Sequence, residues 1–132
     1  MNYIKILKSS GLKATLQRLS ILEIIDTKGH IKIDDLYQEM HKINPKISLA
    51  TVYKNILTMM GKSVVLEVPI IGGKSYYELK KEDHIHLICN ICNNIKDKDI
   101  NNLNLNVNEL SNNFIISHSQ LNIYGTCPEC KA

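Results

Sequence analysis

Four cysteines stand in two Cys-x-x-Cys pairs, Cys89/Cys92 and Cys127/Cys130. Four thiolates match the tetrahedral preference of zinc, and each short turn lets two sulfurs converge on one ion. No further cysteine and no open ligand set points to water activation, so the pattern reads as a closed structural Zn2+ site. The competing readings are two redox pairs or an iron centre. Redox pairs of this spacing usually open a helix after a strand, and two of them in one small lobe would be unusual. In a reducing compartment such pairs favour metal over disulfides.

A second set of donors lies upstream and alongside. The chain has five histidines, His30, His41, His84, His86 and His118. In a strand, residues i and i+2 point to the same face, so His84 and His86 can reach one ion together. Glu78 and Asp97 are available oxygen donors nearby in sequence. A mixed imidazole and carboxylate set suits iron(II), manganese(II) or zinc. Taken alone, the His-x-His pair reads at least as readily as ordinary surface or linker histidines. His41 falls on the polar side of a helix and reads as solvated.

These residues need elements to position them. Ile4 and Leu7 mark a short first helix that Gly11 ends. Thr15 caps a second, with Leu19, Leu22, Ile24 and Ile25 inward. A third spans about 33–43 on Ile33, Leu36, Tyr37, Met40 and Ile43, and Pro45 closes it. Ser48 caps a fourth, about 49–60, whose expected buried stripe is Leu49, Val52, Ile56 and Met60. The period then changes from helical to alternating. Residues 64–68 and 76–79 read as strands joined by Ile71-Gly72-Gly73-Lys74. Helices followed by a β-hairpin make a winged helix-turn-helix. Lys80-Lys81-Glu82-Asp83 reads as the linker, which divides the chain into residues 1–80 and 81–132. The second part reads as strands at 86–89, 95–97, 114–117 and 121–124, with a helix about 104–112 in an Asn-rich stretch. The fold class is therefore α+β.

Composition bounds the partners. Hydrophobic residues make up 44% of the 132, enough for packed cores, but there are only six Tyr, one Phe and no Trp. Two small lobes so poor in aromatics gain from a metal staple or a second chain. Residues 1–62 carry ten Lys/Arg against five Asp/Glu, whereas residues 84–132 carry three against four. A basic front half suits an anionic partner such as DNA, and equally a solvated lysine-rich surface. On the fourth helix Ser48, Ala50, Thr51, Tyr53, Lys54 and Asn55 offer hydroxyls, an amide and small apolar groups to a groove, though by composition alone an ordinary amphipathic surface helix fits at least as well. No run of about 18 apolar residues occurs that would span a membrane. The N-terminus is too polar for a signal peptide, so a cytoplasmic protein is expected.

Together these segments resemble the ferric uptake regulator (Fur) family over nearly the whole chain. The matching stretches are residues 12–18 (LKATLQR), His30 with Asp34-Asp35-Leu36-Tyr37, residues 48–55 (SLATVYKN), residues 83–92 (DHIHLICNIC) and residues 123–130 (IYGTCPEC). The resemblance implies a winged-helix DNA-binding domain and a C-terminal α/β dimerisation domain with structural zinc. It implies a regulatory ion, Fe2+ or Mn2+, on His30, Glu78, His84, His86 and Asp97. Donors from both domains on one ion would let its binding select a DNA-competent arrangement. The implied DNA contacts are Lys13, Arg18, Thr51, Tyr53 and Lys54. The implied partners are a palindromic double-stranded operator and a second copy of the chain, with no membrane.

Within the family, Asp83-His84-Ile85-His86 looks more like the peroxide regulators (PerR) than the iron regulators, whose longer histidine run supplies an additional site. In peroxide regulators an iron-bound histidine is oxidised and the repressor leaves DNA; the matching residues are His30 and His84. One residue departs from that branch: peroxide regulators usually carry Asp where Glu78 stands, and iron regulators usually carry Glu. Leu16 stands where the family often has Pro. Gly61 and Ser63 replace a usual polar residue and a capping Gly, which implies a looser helix end. The sequence thus reads as a peroxide-responsive repressor and not an enzyme, with an iron-responsive regulator as the alternative. From other classes, the alternatives are a zinc-dependent hydrolase, which lacks a general base at an open zinc, and a redox protein using the Cys-x-x-Cys pairs, which would need two such pairs in one small lobe.

Overall fold

The structure, a computed structural model, describes residues 2–103 and 106–131. The chain divides into two compact units, Met1–Lys80 and Lys81–Ala132.

The first unit opens with α1 (Tyr3–Ser9), α2 (Leu16–Lys28), β1 (Ile31–Lys32), α3 (Ile33–Ile43) and α4 (Leu49–Gly61). The hairpin β2 (Val65–Val68) and β3 (Tyr76–Leu79) completes it. The helix starts are where the capping residues stand. Thr15 Oγ1 accepts from Arg18 N at 3.2 Å, and Ser48 Oγ accepts from Thr51 N at 3.1 Å. Each satisfies a backbone donor that the helix itself cannot, worth about 1 kcal/mol. Past the end of α1, Gly11 takes φ +75° while Leu12 N donates to Leu7 O at 2.9 Å. That left-handed step costs glycine little. α4 closes the same way without a glycine. Ser63 takes φ +56° as Val64 N donates to Met59 O at 2.9 Å. The expected looseness is therefore strain instead: the capping bonds form, on a residue that pays for a left-handed backbone.

The core gathers Leu7, Ile21, Leu22, Ile25, Leu36, Met40, Val52, Ile56, Met59 and Val65. Its sheet is antiparallel in the order β1-β3-β2. The α3–α4 pair followed by the β2–β3 hairpin is a winged helix-turn-helix. Three sequence expectations are corrected here. The buried stripe of α4 is Val52, Ile56 and Met59, with Leu49 exposed and Met60 half-buried. Ile43 is exposed at the end of α3 rather than inward. On α2 it is Ile21 that is buried, while Leu19 is only half-buried.

The second unit holds β4 (His84–Cys89), β5 (Ile95–Asp99), a 3-10 turn (Ile100–Asn102), α5 (Val107–Leu110) and β6 (Leu121–Gly125). The sheet runs β5-β4-β6, antiparallel on one side of β4 and parallel on the other. Of the helix expected at 104–112, Asn104 and Leu105 lie outside the described residues, and only Val107–Leu110 is helical. The strand expected at 114–117 is not formed. Phe114 and Ile115 lie exposed in irregular backbone, with no β ladder to hold them extended. No described helix is long and apolar enough to cross a membrane.

Candidate metal centres and nucleic-acid face

In the second unit, β4 ends on Cys89 and turns back at once, with Asn93 N donating to Cys89 O at 2.9 Å and Asn93 at φ +62°. β6 runs parallel to β4, so Gly125 pairs with Cys89 and delivers Cys127 beside it. One sulfur donor from each of Cys89, Cys92, Cys127 and Cys130 lies within 4.8 Å of the others. Cys92 Sγ and Cys127 Sγ are 3.8 Å apart. A tetrahedron with metal–sulfur bonds of about 2.3 Å has edges of about 3.8 Å, so the donors fit zinc. None of the four is in a disulfide.

Backbone dipoles prepare one thiolate. Cys89 Sγ receives the N–H groups of Ile91 at 3.4 Å, Cys92 at 3.5 Å and Cys127 at 3.4 Å. The Cys92 and Cys127 amides are the largest causes that bring its pKa down to about 6. Crowding acts the other way elsewhere: the Cys127 side chain and then burial push Cys130 up to about 12, and burial pushes Cys127 up. Four sulfurs at these distances cannot all ionise without a cation among them, and a divalent ion supplies it.

Three of the five histidines stand beside other donors, His30 in the first unit and His84 with His86 in the second. In the first unit, Gly29 leaves α2 at φ +79° and turns the chain into β1. Because Ile31 pairs with Tyr77, the residue before it stands beside Glu78. His30 Nε2 lies 3.0 Å from Glu78 Oε2, and Glu78 is fully buried.

In the second unit, sheet register builds the other group. His86 pairs with Asp97 on β5 and with Asn122 on β6. His84 Nε2 lies 3.9 Å and His86 Nε2 3.7 Å from Asp97 Oδ1. Lys81 Nζ donates to Asp97 Oδ2 at 3.0 Å. His84 Nδ1 lies 2.9 Å from the Glu82 carbonyl, which only accepts, so this nitrogen carries the proton. His86 Nδ1 lies 2.7 Å from Asn122 Oδ1, whose amide is oriented by a 3.3 Å bond from Nδ2 to Gln120 Oε1. In the neutral rings both Nε2 atoms then present lone pairs, and they face each other at 2.8 Å. Two lone pairs at that distance repel unless a proton or metal ion sits against them. Adjacent positions on one ion with bonds of about 2.1 Å would place them close to that distance. The donor chemistry fits a divalent ion. Sequence reasoning missed Asn122. Its only signal was its place opposite His86 once the register was known.

On the first unit, α4 exposes Tyr53 and Lys54, with Thr51 half-buried. Lys13 is exposed just before α2, and Arg18 is half-buried in its first turn. Neither His41 nor His118 joins a described donor cluster: His41 packs its ring on Tyr37 and His118 bonds Ser117 Oγ at 3.2 Å.

Comparison with known proteins gives consistent matches. The model of the ferric uptake regulator family matches residues 9–124. The peroxide operon regulator of Bacillus subtilis (strain 168) is 34% identical over 128 residues, 94% of this chain and 88% of the relative. The crystal structure of the Campylobacter jejuni peroxide stress regulator is similar with a TM-score of 0.77 and 36% identity, covering 98% of this chain and 100% of that one. The Vibrio cholerae ferric uptake regulator gives 0.74 and 30%, covering 96% and 100%.

Proposed function

This chain belongs to the ferric uptake regulator family, and we propose that it is a metal-dependent, homodimeric repressor that binds palindromic operator DNA and releases it on contact with peroxide. The observation that carries the reading is the His84–His86 pair, with both Nδ1 protons engaged and both Nε2 lone pairs 2.8 Å apart. A metal ion between those two donors, or a proton on one of them, satisfies the arrangement, and a metal ion there is separate from the four-sulfur set that suits structural zinc.

In this reading Cys89, Cys92, Cys127 and Cys130 hold Zn2+. His30, Glu78, His84, His86 and Asp97 serve the regulatory ion, Fe2+ or Mn2+. The chain's own groups do the following. The Glu82 carbonyl and Asn122 fix the tautomers of His84 and His86 so that Nε2 is the donor. Asp97 and Glu78 supply negative charge, and Lys81 balances Asp97 when no ion does. Because donors come from both units, ion binding favours whichever arrangement brings them together, and DNA selects among the same arrangements. Bound iron(II) would catalyse transfer of one oxygen atom from hydrogen peroxide to a ligand histidine, the rest of the peroxide leaving as water. His30 and His84, which match the oxidised residues of the peroxide regulators, would take up that oxygen and spoil the donor set. Lys13, Arg18, Thr51, Tyr53 and Lys54 contact DNA, and the second unit forms the dimer. The protein acts in the cytoplasm and catalyses no turnover.

Glu78 favours a second reading, an iron-responsive regulator, because its carboxylate is one methylene longer than the Asp usual in peroxide regulators. The relatives named as peroxide regulators, at 34% and 36% identity, favour the first. The test is DNA binding by the zinc-loaded protein with and without added Mn2+, for the wild type and His86→Ala. Wild-type binding should require the added ion, and the variant should lose that requirement's response while keeping its zinc. Equal ion-dependent binding by His86→Ala would overturn the assigned regulatory set.

A further inference from the structure

Asn55 lies on α4 where an amide suits a base edge, but the structure occupies it elsewhere. Its Oδ1 accepts from Arg18 Nε at 3.2 Å. Its Nδ2 lies 3.3 Å from Gln17 Oε1 and 3.1 Å from the Thr51 carbonyl. An Asn amide has two N–H donors and two acceptor lone pairs. Both donors are therefore used inside the molecule. Bidentate reading of adenine needs one donor and one acceptor from the same amide, so that mode is closed to Asn55 unless the network breaks.

The same accounting on Arg18 gives the opposite result. Its Nε–H goes to Asn55, and Nη1 donates to the Lys13 carbonyl at 3.0 Å. Of five guanidinium donors, three remain, including both on Nη2. A guanidinium held by its Nε and one edge, with the rest of its fork uncommitted, suits an anionic oxygen such as a DNA phosphate. The network reaches from the segment before α2, through its first turn, to the middle of α4. It joins residues 37 and 38 positions apart in sequence.

We infer that Asn55 is a positioning residue that holds Arg18 for a DNA phosphate and reads no base itself. This rests on the repressor reading above. Fixing Arg18 before DNA arrives removes rotamer freedom that binding would otherwise have to remove.

The test uses the full chain loaded with zinc and Mn2+. The probes are a duplex recovered by selection from a random pool with the wild-type protein, and a random-sequence duplex of equal length. Asn55→Ala should weaken binding to both duplexes by a similar factor, about tenfold. It should also lower the slope of log affinity against log salt by about one. Arg18→Ala should do the same, and the double variant should add almost nothing, because one residue acts through the other. Loss confined to the selected duplex, with relaxed preference at one base pair and an unchanged salt slope, would make Asn55 a base reader and overturn the inference. So would full additivity of the two substitutions. If Asn55→Ala does not fold, Arg18→Lys carries the test, since it keeps the charge but has no Nε–H and no fork. Its affinity should also fall about tenfold, as expected for a non-conservative change at a held guanidinium, and unchanged affinity would overturn the inference. If the wild type enriches no sequence at all, the repressor reading fails first.

Discussion

Met1–Lys80 closes around Leu22, Ile25, Leu36, Ile56 and Met59, all fully buried, whereas in Lys81–Ala132 only Ile85, His86, Ile88 and Cys89 are buried among the described side chains. The second unit also leaves Ile91, Leu110, Phe114, Ile115 and Ile123 exposed. One unit is held by hydrocarbon packing and helix caps. The other has a short sheet, a four-sulfur cluster and apolar surface that the proposed dimer would cover. The two units thus draw their stability from different sources and should respond to different perturbations. A unit with so little buried apolar area depends on ligands and partners for its fold.

Zinc withdrawal should break that comparison most visibly. A chelator strong enough to strip the four cysteines should abolish amide-exchange protection across β4, β5 and β6 while α2 and α4 stay protected. Binding energies of structural zinc in small peptides are on the order of 10 kcal/mol, far more than the few buried side chains here supply. Persistent protection of β4 in the zinc-free protein would show that its core suffices. Cys127→Ser should behave like the chelator.

The reciprocal change belongs to the first unit. Ile56→Ala should cost about 2–5 kcal/mol in denaturant unfolding of the winged helix, because a fully buried side chain leaves a cavity. Zinc content should not change. Loss of zinc by this variant would mean that the two units do not draw their stability from separate sources.

A smaller effect is expected at the end of α4. Ser63 holds a left-handed backbone at φ +56°, which costs a non-glycine residue about 1 kcal/mol. Ser63→Gly should raise first-unit stability by about that amount in thermal or urea unfolding, offset in part by the greater freedom of the unfolded chain. No gain, or a loss, would show that the turn is unstrained.

The two units were also unequally legible in the sequence. Local signals carried well. The Cys-x-x-Cys pairs, the His-x-His alternation and the caps at Thr15 and Ser48 all depend on residues within a turn or a strand of one another. What failed depended on partners distant in sequence. Met59 rather than Met60 is buried because the phase of α4 is set by what packs on it, and the sequence alone allows either. β1, only Ile31–Lys32, is too short to show a period and exists because β3 pairs with it. Residues 114–117 have the apolar composition of a strand, but composition supplies no hydrogen-bonding neighbour. Asn122 became visible as the partner of His86 only through the β4–β6 register, and Asn55 as the partner of Arg18 only once the fold brings the first turn of α2 within hydrogen-bond reach of α4. His84 and His86 are legible from their alternation, whereas His30 joins the set only through the resemblance. The geometry adds the tautomers and the facing Nε2 atoms, which no spacing rule contains.

In the proposed repressor the histidine set, and not the sulfur set, senses peroxide. This is tested most directly by loading the zinc protein with iron(II), exposing it to hydrogen peroxide, and mapping oxygen addition by peptide mass spectrometry alongside DNA binding. Peptides containing His30 or His84 should gain one oxygen, DNA binding should fall in step with that gain, and the Mn2+ form should gain none. Retained DNA binding with unmodified His30 and His84 would contradict this role of the histidine set. So would loss of binding that follows oxidation of Cys89, Cys92, Cys127 or Cys130 and release of zinc.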